Sequence, residues 1–139
     1  WGFRLPMYPA VTIAFDTTAK VLRLCRKYNF DVFHVTSPGF FFLPVILASR
    51  IYGIPLLMSY HTHLPIYVRT YFRPPWNTIA EWILWKVLRW IHSFADLTLV
   101  TSPQIAADLE SHGIHPVELW PKGVNTTQFH PQFQSKAMR

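Results

Sequence analysis

Apolar positions in this chain follow two rhythms. Short unbroken apolar runs alternate with longer stretches in which apolar residues recur at helical spacing. The runs are Asp31-Val32-Phe33-His34-Val35, Leu56 to Tyr60, Asp96-Leu97-Thr98-Leu99-Val100 and Val117-Glu118-Leu119-Trp120. A run of this kind predicts a strand buried on both faces in a parallel sheet. The helical stretches carry their own punctuation. Asp16 reads as the N-cap of a helix to about Tyr28, with Arg23, Arg26 and Lys27 near its negative end. A second helix runs from near Phe40 to Tyr52, with Pro44 in its first turn and Gly53 just past its end. The longest spans Trp76 to about Phe94. The last has Ser102 as N-cap, Pro103 at the first helical position and Gly113 after His112. Residues 1–15 show no clear period, 61–75 read as a long loop, and the chain after Asn125 is polar.

Strand–helix alternation with short links predicts an α/β fold: a Rossmann-like parallel sheet with helices on both faces. Each strand ends in a polar turn, and in such sheets these ends line one rim where ligands bind. The turns supply Ser37 and Gly39, then His61, Thr62 and His63, then Thr101 and Ser102, then Lys122 and Gly123. Gly123 permits a positive φ, and Lys122 has the charge to meet a phosphate.

The long helix has a broad apolar face of Trp76, Ile79, Ala80, Ile83, Leu84, Val87, Trp90 and Ile91, which predicts its core side. Its opposite face carries Asn77, Thr78, Glu81, Arg89 and His92, with Trp85 in the middle and Trp82 near the edge. Indoles among cations suit a membrane interface, and packing against another domain explains them equally well. On the first reading Arg69, Arg73, Trp82, Trp85 and Arg89 contact the membrane.

Composition narrows the partners. The 139 residues suffice for one modest domain, and half are hydrophobic. The net charge of +6 is not gathered into runs, and aromatics reach 17%. This favours an anionic lipid surface or a sugar-phosphate partner over nucleic acid. Cys25 is the only cysteine, so no internal disulfide and no cysteine-based zinc site can form. Asn125-Thr126-Thr127 reads as a chance glycosylation match. No stretch reaches the roughly 18 uncharged apolar residues of a membrane span without a proline or histidine. The chain starts without methionine or signal peptide and reads as a segment of something longer.

The sharpest motif is Ser59-Tyr60-His61-Thr62-His63, two imidazoles directly after a buried strand. Alternate residues on extended chain share a side, so both rings could meet one metal, serve structure, or bind substrate. His34 is mid-strand or near a strand end, but no Asp or Glu stands suitably beside one, so no metal site is assigned. Gly-rich phosphate loops, a serine nucleophile elbow and paired carboxylates are all missing from the sequence.

The order of these motifs resembles the acceptor-side domain of family-4 retaining glycosyltransferases of the GT-B fold. It is most similar to the sulfoquinovosyltransferases of sulfolipid synthesis. The resemblance rests on 31–39, 55–63, Ala95 to Pro103, Leu119 to Asn125 and Phe129 to Phe133, and it covers about Tyr8 to Arg139. It implies the N-terminal half of a GT-B fold over 1–121, without its first strand, and the start of a linker to a C-terminal donor-binding domain over 122–139. It implies transfer of sulfoquinovose from UDP-sulfoquinovose to diacylglycerol, with no other cofactor and with His61 as the catalytic residue. It places the enzyme on an anionic membrane surface, on the chloroplast envelope in a eukaryote or the cytoplasmic face in a bacterium. The turn of Pro121-Lys122-Gly123-Val124-Asn125 departs from the family's usual carboxylate at position 125. Another UDP- or GDP-sugar transferase acting on a membrane lipid, a non-catalytic membrane-surface module and a His-x-His metal hydrolase are the alternatives.

Overall fold

The computed structural model describes residues 2–5, 8–14, 18–37 and 42–134, the first two stretches as backbone. The chain runs β1 (Gly2–Leu5), β2 (Tyr8–Ala14), α1 (Thr18–Lys27), β3 (Phe33–Ser37), α2 (Phe42–Tyr52) and β4 (Leu56–Tyr60). It continues through α3 (Leu64–Tyr71), α4 (Trp76–His92), β5 (Leu97–Val100), α5 (Pro103–Ser111), β6 (Val117–Leu119) and a 3₁₀ turn at Pro131–Phe133. Strands β3 to β6 form one parallel sheet in chain order, so the predicted Rossmann-like α/β architecture is present.

The register places Val35, Met58, Thr98 and Val117 in one row, and Ser37, Tyr60, Val100 and Leu119 in the next on the same face. Two apolar clusters sit on this face. Val35, Leu56 and Met58 meet Ile46 of α2 and Ile91 of α4. Tyr60 and Val100 meet Trp85 and Leu88 of α4, Leu109 of α5 and Ile114. Polar latches fix the frame. Asp96 accepts from the Leu56 N–H at 2.7 Å and returns its own N–H to the Leu56 carbonyl at 2.9 Å, which sets β4 against β5.

The α5 expectations hold in detail: Ser102 is the N-cap, Pro103 opens the helix, and Gly113 follows with φ of 76°. Gly53 ends α2 the same way at 66°. Four expectations change. Residues 1–15 contain an antiparallel pair, β1 with β2. Strand β3 starts and ends two residues later than the apolar run suggests, which makes Thr36 and Ser37 strand residues. The expected loop after His63 holds α3, with Pro65 in its first turn; the β-branched Ile66, Val68 and Thr70 disguise it. Helix α4 is rotated from its predicted setting: Trp85, Leu88, Ile91 and His92 are buried, while Trp76, Ile79, Ile83, Val87 and Trp90 are exposed. This helix is apolar nearly all round, and the sheet chose the side that holds His92. Asp16 and Gly39 lie outside the described residues.

Candidate functional site

The carboxyl ends of β4, β5 and β6 bring His61, Thr101 and the Trp120–Lys122 turn to one rim. His61 is half-buried, and its Nδ1 is enclosed without a hydrogen-bond partner among the described residues. The Trp120 ring stands 6.3 Å from it and 5.4 Å from the His34 ring. Trp120 is held by its N–H, which donates to the Val100 carbonyl at 2.7 Å. Burial, then the Lys122 ammonium, then His34 hold His61 below the usual histidine range. At neutral pH its ring is therefore neutral, with one donor and one acceptor, which suits a sugar hydroxyl.

His63 does not join His61. It sits at the N-cap position of α3, and its Nε2 meets Asp108 Oδ2 of α5 at 2.9 Å. Its ring is edge-on to Tyr60 and Trp85, at 6.0 and 5.9 Å. The shared side expected from alternation is lost because the chain leaves the strand after Tyr60. Among the described residues no three His, Cys, Asp or Glu side chains gather as metal ligands. The Tyr60 hydroxyl is buried, and burial holds it well above the usual phenol range, with the Leu64 backbone pulling the other way and the Asp108 carboxylate adding to the rise.

Ser37 is a correction. Its Oγ points into the core and lies 2.8 Å from His92 Nε2, while His92 Nδ1 lies 2.9 Å from Thr98 Oγ1. Burial pushes His92 down to about 4, so this bridge between β3, α4 and β5 is neutral. The Ser37 hydroxyl serves structure and leaves the rim. Ser102 Oγ likewise accepts from the Ile105 N–H at 3.4 Å as the helix cap. Thr62 is exposed and its carbonyl accepts from the Leu64 N–H. Thr101 is half-buried, Lys122 is exposed, and Gly123 has open space around it and no positive φ. Asn125 forms a turn, its Oδ1 accepting from the Thr127 and Gln128 amides.

The proposed membrane residues divide. Arg69, Arg73, Trp82 and Arg89 are exposed. Trp85 is only 8% exposed and stacks on His112, with centroids 3.6 Å apart and planes within 6°. It packs the α4–α5 contact and cannot touch a membrane. Trp120 and Asp108 are additions to the site. Trp120 ends the fourth apolar run and stands in the Leu119 to Asn125 stretch, yet nothing in the sequence pairs it with His61. Asp108 stands in no motif and reaches His63 from a different helix.

The model for Glycosyltransferase Family 4 matches residues 2–128. The chain belongs to this family. It is 32% identical over 99% of its length to sulfoquinovosyl transferase SQD2 of Arabidopsis thaliana. It is 28% identical over 98% to a GDP-mannose-dependent alpha-mannosyltransferase of Corynebacterium glutamicum, and 30% identical over 96% to one of Mycobacterium tuberculosis. The chain spans 27%, 32% and 35% of these proteins. No solved structure matches it.

Proposed function

We propose that this chain forms the acceptor-side wall of a retaining lipid glycosyltransferase that moves sulfoquinovose from UDP-sulfoquinovose to diacylglycerol. The observation that carries this reading is the 32% identity to a sulfoquinovosyl transferase, spread over 99% of the chain. In this reading His61, neutral at the rim, hydrogen-bonds a hydroxyl at the reacting sugar. Thr62, Thr101 and Gly123 belong to the substrate side of the rim in this reading, and Lys122 contributes charge toward the donor phosphates. A donor-binding domain in the same protein supplies the nucleotide pocket, and the nucleotide-sugar is a substrate, so no further cofactor is needed. The enzyme works at an anionic membrane surface, the plastid envelope if its source is a plant or alga. Among the described residues no helix is long and apolar enough to cross a membrane.

The mannosyltransferase relatives support a second reading, in which the donor is GDP-mannose. The test is to offer the intact protein both donors with diacylglycerol and to follow products by mass spectrometry. Sulfoquinovosyl diacylglycerol is the expected product. A mannosylated lipid formed from GDP-mannose would select the second reading, and no product with either donor would remove both.

A further inference from the structure

The exposed side of α4 is a surface that the site described above does not use. Trp76, Ile79, Ile83, Val87 and Trp90 recur at helical spacing and form one stripe, with Trp76 at 67% and Trp90 at 52% exposure. Phe72 extends it, and a shallow groove of about 380 Å³ between Phe72, Arg73, Trp76, Ile79 and Ile83 is almost wholly apolar. Soluble surfaces seldom show so much contiguous apolar side chain without a partner.

The charge beside the stripe identifies that partner. Lys86 and Arg89 follow it along one flank, and Arg69 and Arg73 stand near its amino-terminal end. Among the described residues none of these four cations has an ion-pair partner. Lys86 lies over the exposed Trp82 ring at 5.6 Å. A second cleft of about 350 Å³ opens on this flank between Thr78, Glu81, Trp82, Lys86, Arg89 and His112, with Glu81 its single carboxylate. An apolar stripe edged by indoles and unpaired cations matches the boundary of an anionic bilayer: acyl chains below, phosphates at the rim.

We propose that α4 lies flat on an anionic lipid leaflet, with Trp76, Ile79, Ile83, Val87 and Trp90 in the headgroup–acyl boundary and Lys86, Arg89, Arg69 and Arg73 on lipid phosphates. This rests on the lipid-transferase reading for its purpose and assigns the surface that reading needs. It replaces the buried Trp85 as the membrane anchor.

The experiment compares the intact protein with two variants. One is Trp76→Gln, Ile83→Gln, Trp90→Gln; all three side chains are exposed, so little core is disturbed. The other is Arg73→Gln, Lys86→Gln. Binding is measured on vesicles rich in phosphatidylglycerol and on pure phosphatidylcholine. The apolar variant should bind anionic vesicles at least about tenfold more weakly at any salt concentration. The charge variant should lose binding mainly at low salt. Quenching of wild-type tryptophan fluorescence by brominated lipid should reach Trp76 and Trp90, shown by its decrease when each is changed to Phe. Unchanged vesicle binding by the apolar variant would overturn the proposal. So would self-association of the wild type, detected by sedimentation, that the apolar variant abolishes while its vesicle binding stays intact, since a second copy would then cover the face. Loss of vesicle binding in a protein that transfers no sugar to any lipid would keep this surface and remove the lipid-transferase reading.

Discussion

His61 and His63 stand one residue apart, yet their chemistry differs because their partners differ. His61 is kept neutral by burial and by Lys122, while His63 is tied to Asp108. Two predictions follow from this contrast. His61→Ala in the intact enzyme should cost two to three orders of magnitude, roughly the loss of one preorganised donor, without unfolding it. Turnover near that of the wild type would take His61 out of the mechanism. Asp108→Ala should cost about 1 kcal/mol in urea denaturation, because His63 Nε2 is left unpaired in a mostly buried place. The half-exposed carboxylate keeps the figure that small. Asp108→Asn, which retains an acceptor, should recover most of it. Equal losses in both would mean that the charge of Asp108, and not its hydrogen bond, holds the ring. Of this site the sequence shows the two imidazoles, since a strand-end position can be read from an apolar run. It hides the partners, since nothing local connects position 63 with 108 or position 61 with 120.

At the scale of elements, legibility follows from how many alternatives the physics leaves. Helix α5 was readable because Ser102, Pro103 and Gly113 each allow few conformations. Helix α4 was readable in extent and unreadable in rotation, because two of its sides are apolar and only the sheet distinguishes them. Helix α3 was hidden by β-branched residues whose weak helical preference was overridden by the fold. The glycines give a test of local against tertiary causes. Gly53 and Gly113 share a positive φ, at 66° and 76°. A Cβ on Gly53 would meet nothing within 4 Å, whereas one on Gly113 would stand 3.2 Å from Arg89 Cζ. Arg89 is exposed and its guanidinium can move aside. Backbone strain should therefore dominate, and Gly53→Ala and Gly113→Ala should each cost about 1 kcal/mol in thermal or urea unfolding. A markedly larger loss at Gly113 would show that Arg89 is fixed on the α4–α5 corner.

For the molecule as a whole, the parallel sheet was legible because its strands are short apolar runs separated by helix signals. The polar bridge that crosses its core was not. His92 lies on a helix face that looks solvated in sequence, yet its ring joins Ser37 of β3 to Thr98 of β5 and is buried. This makes acid stability a property of the fold. The ring titrates at about 4 in the folded protein, against 6.5 for its ordinary value. Between these values the unfolded chain binds the proton and the folded one does not, so stability rises with pH across this window. The stabilisation is complete above about pH 6.5 and is lost as pH falls through 4, a total of about 3 kcal/mol. His92→Gln, measured beside the wild type by urea denaturation from pH 7 to pH 4, should start less stable and show a shallower decline. Carboxylates and other histidines contribute equally to both proteins and cancel in the comparison. Parallel declines would mean that the ring is protonated in the folded core, and that Ser37 and Thr98 accept from it as a cation.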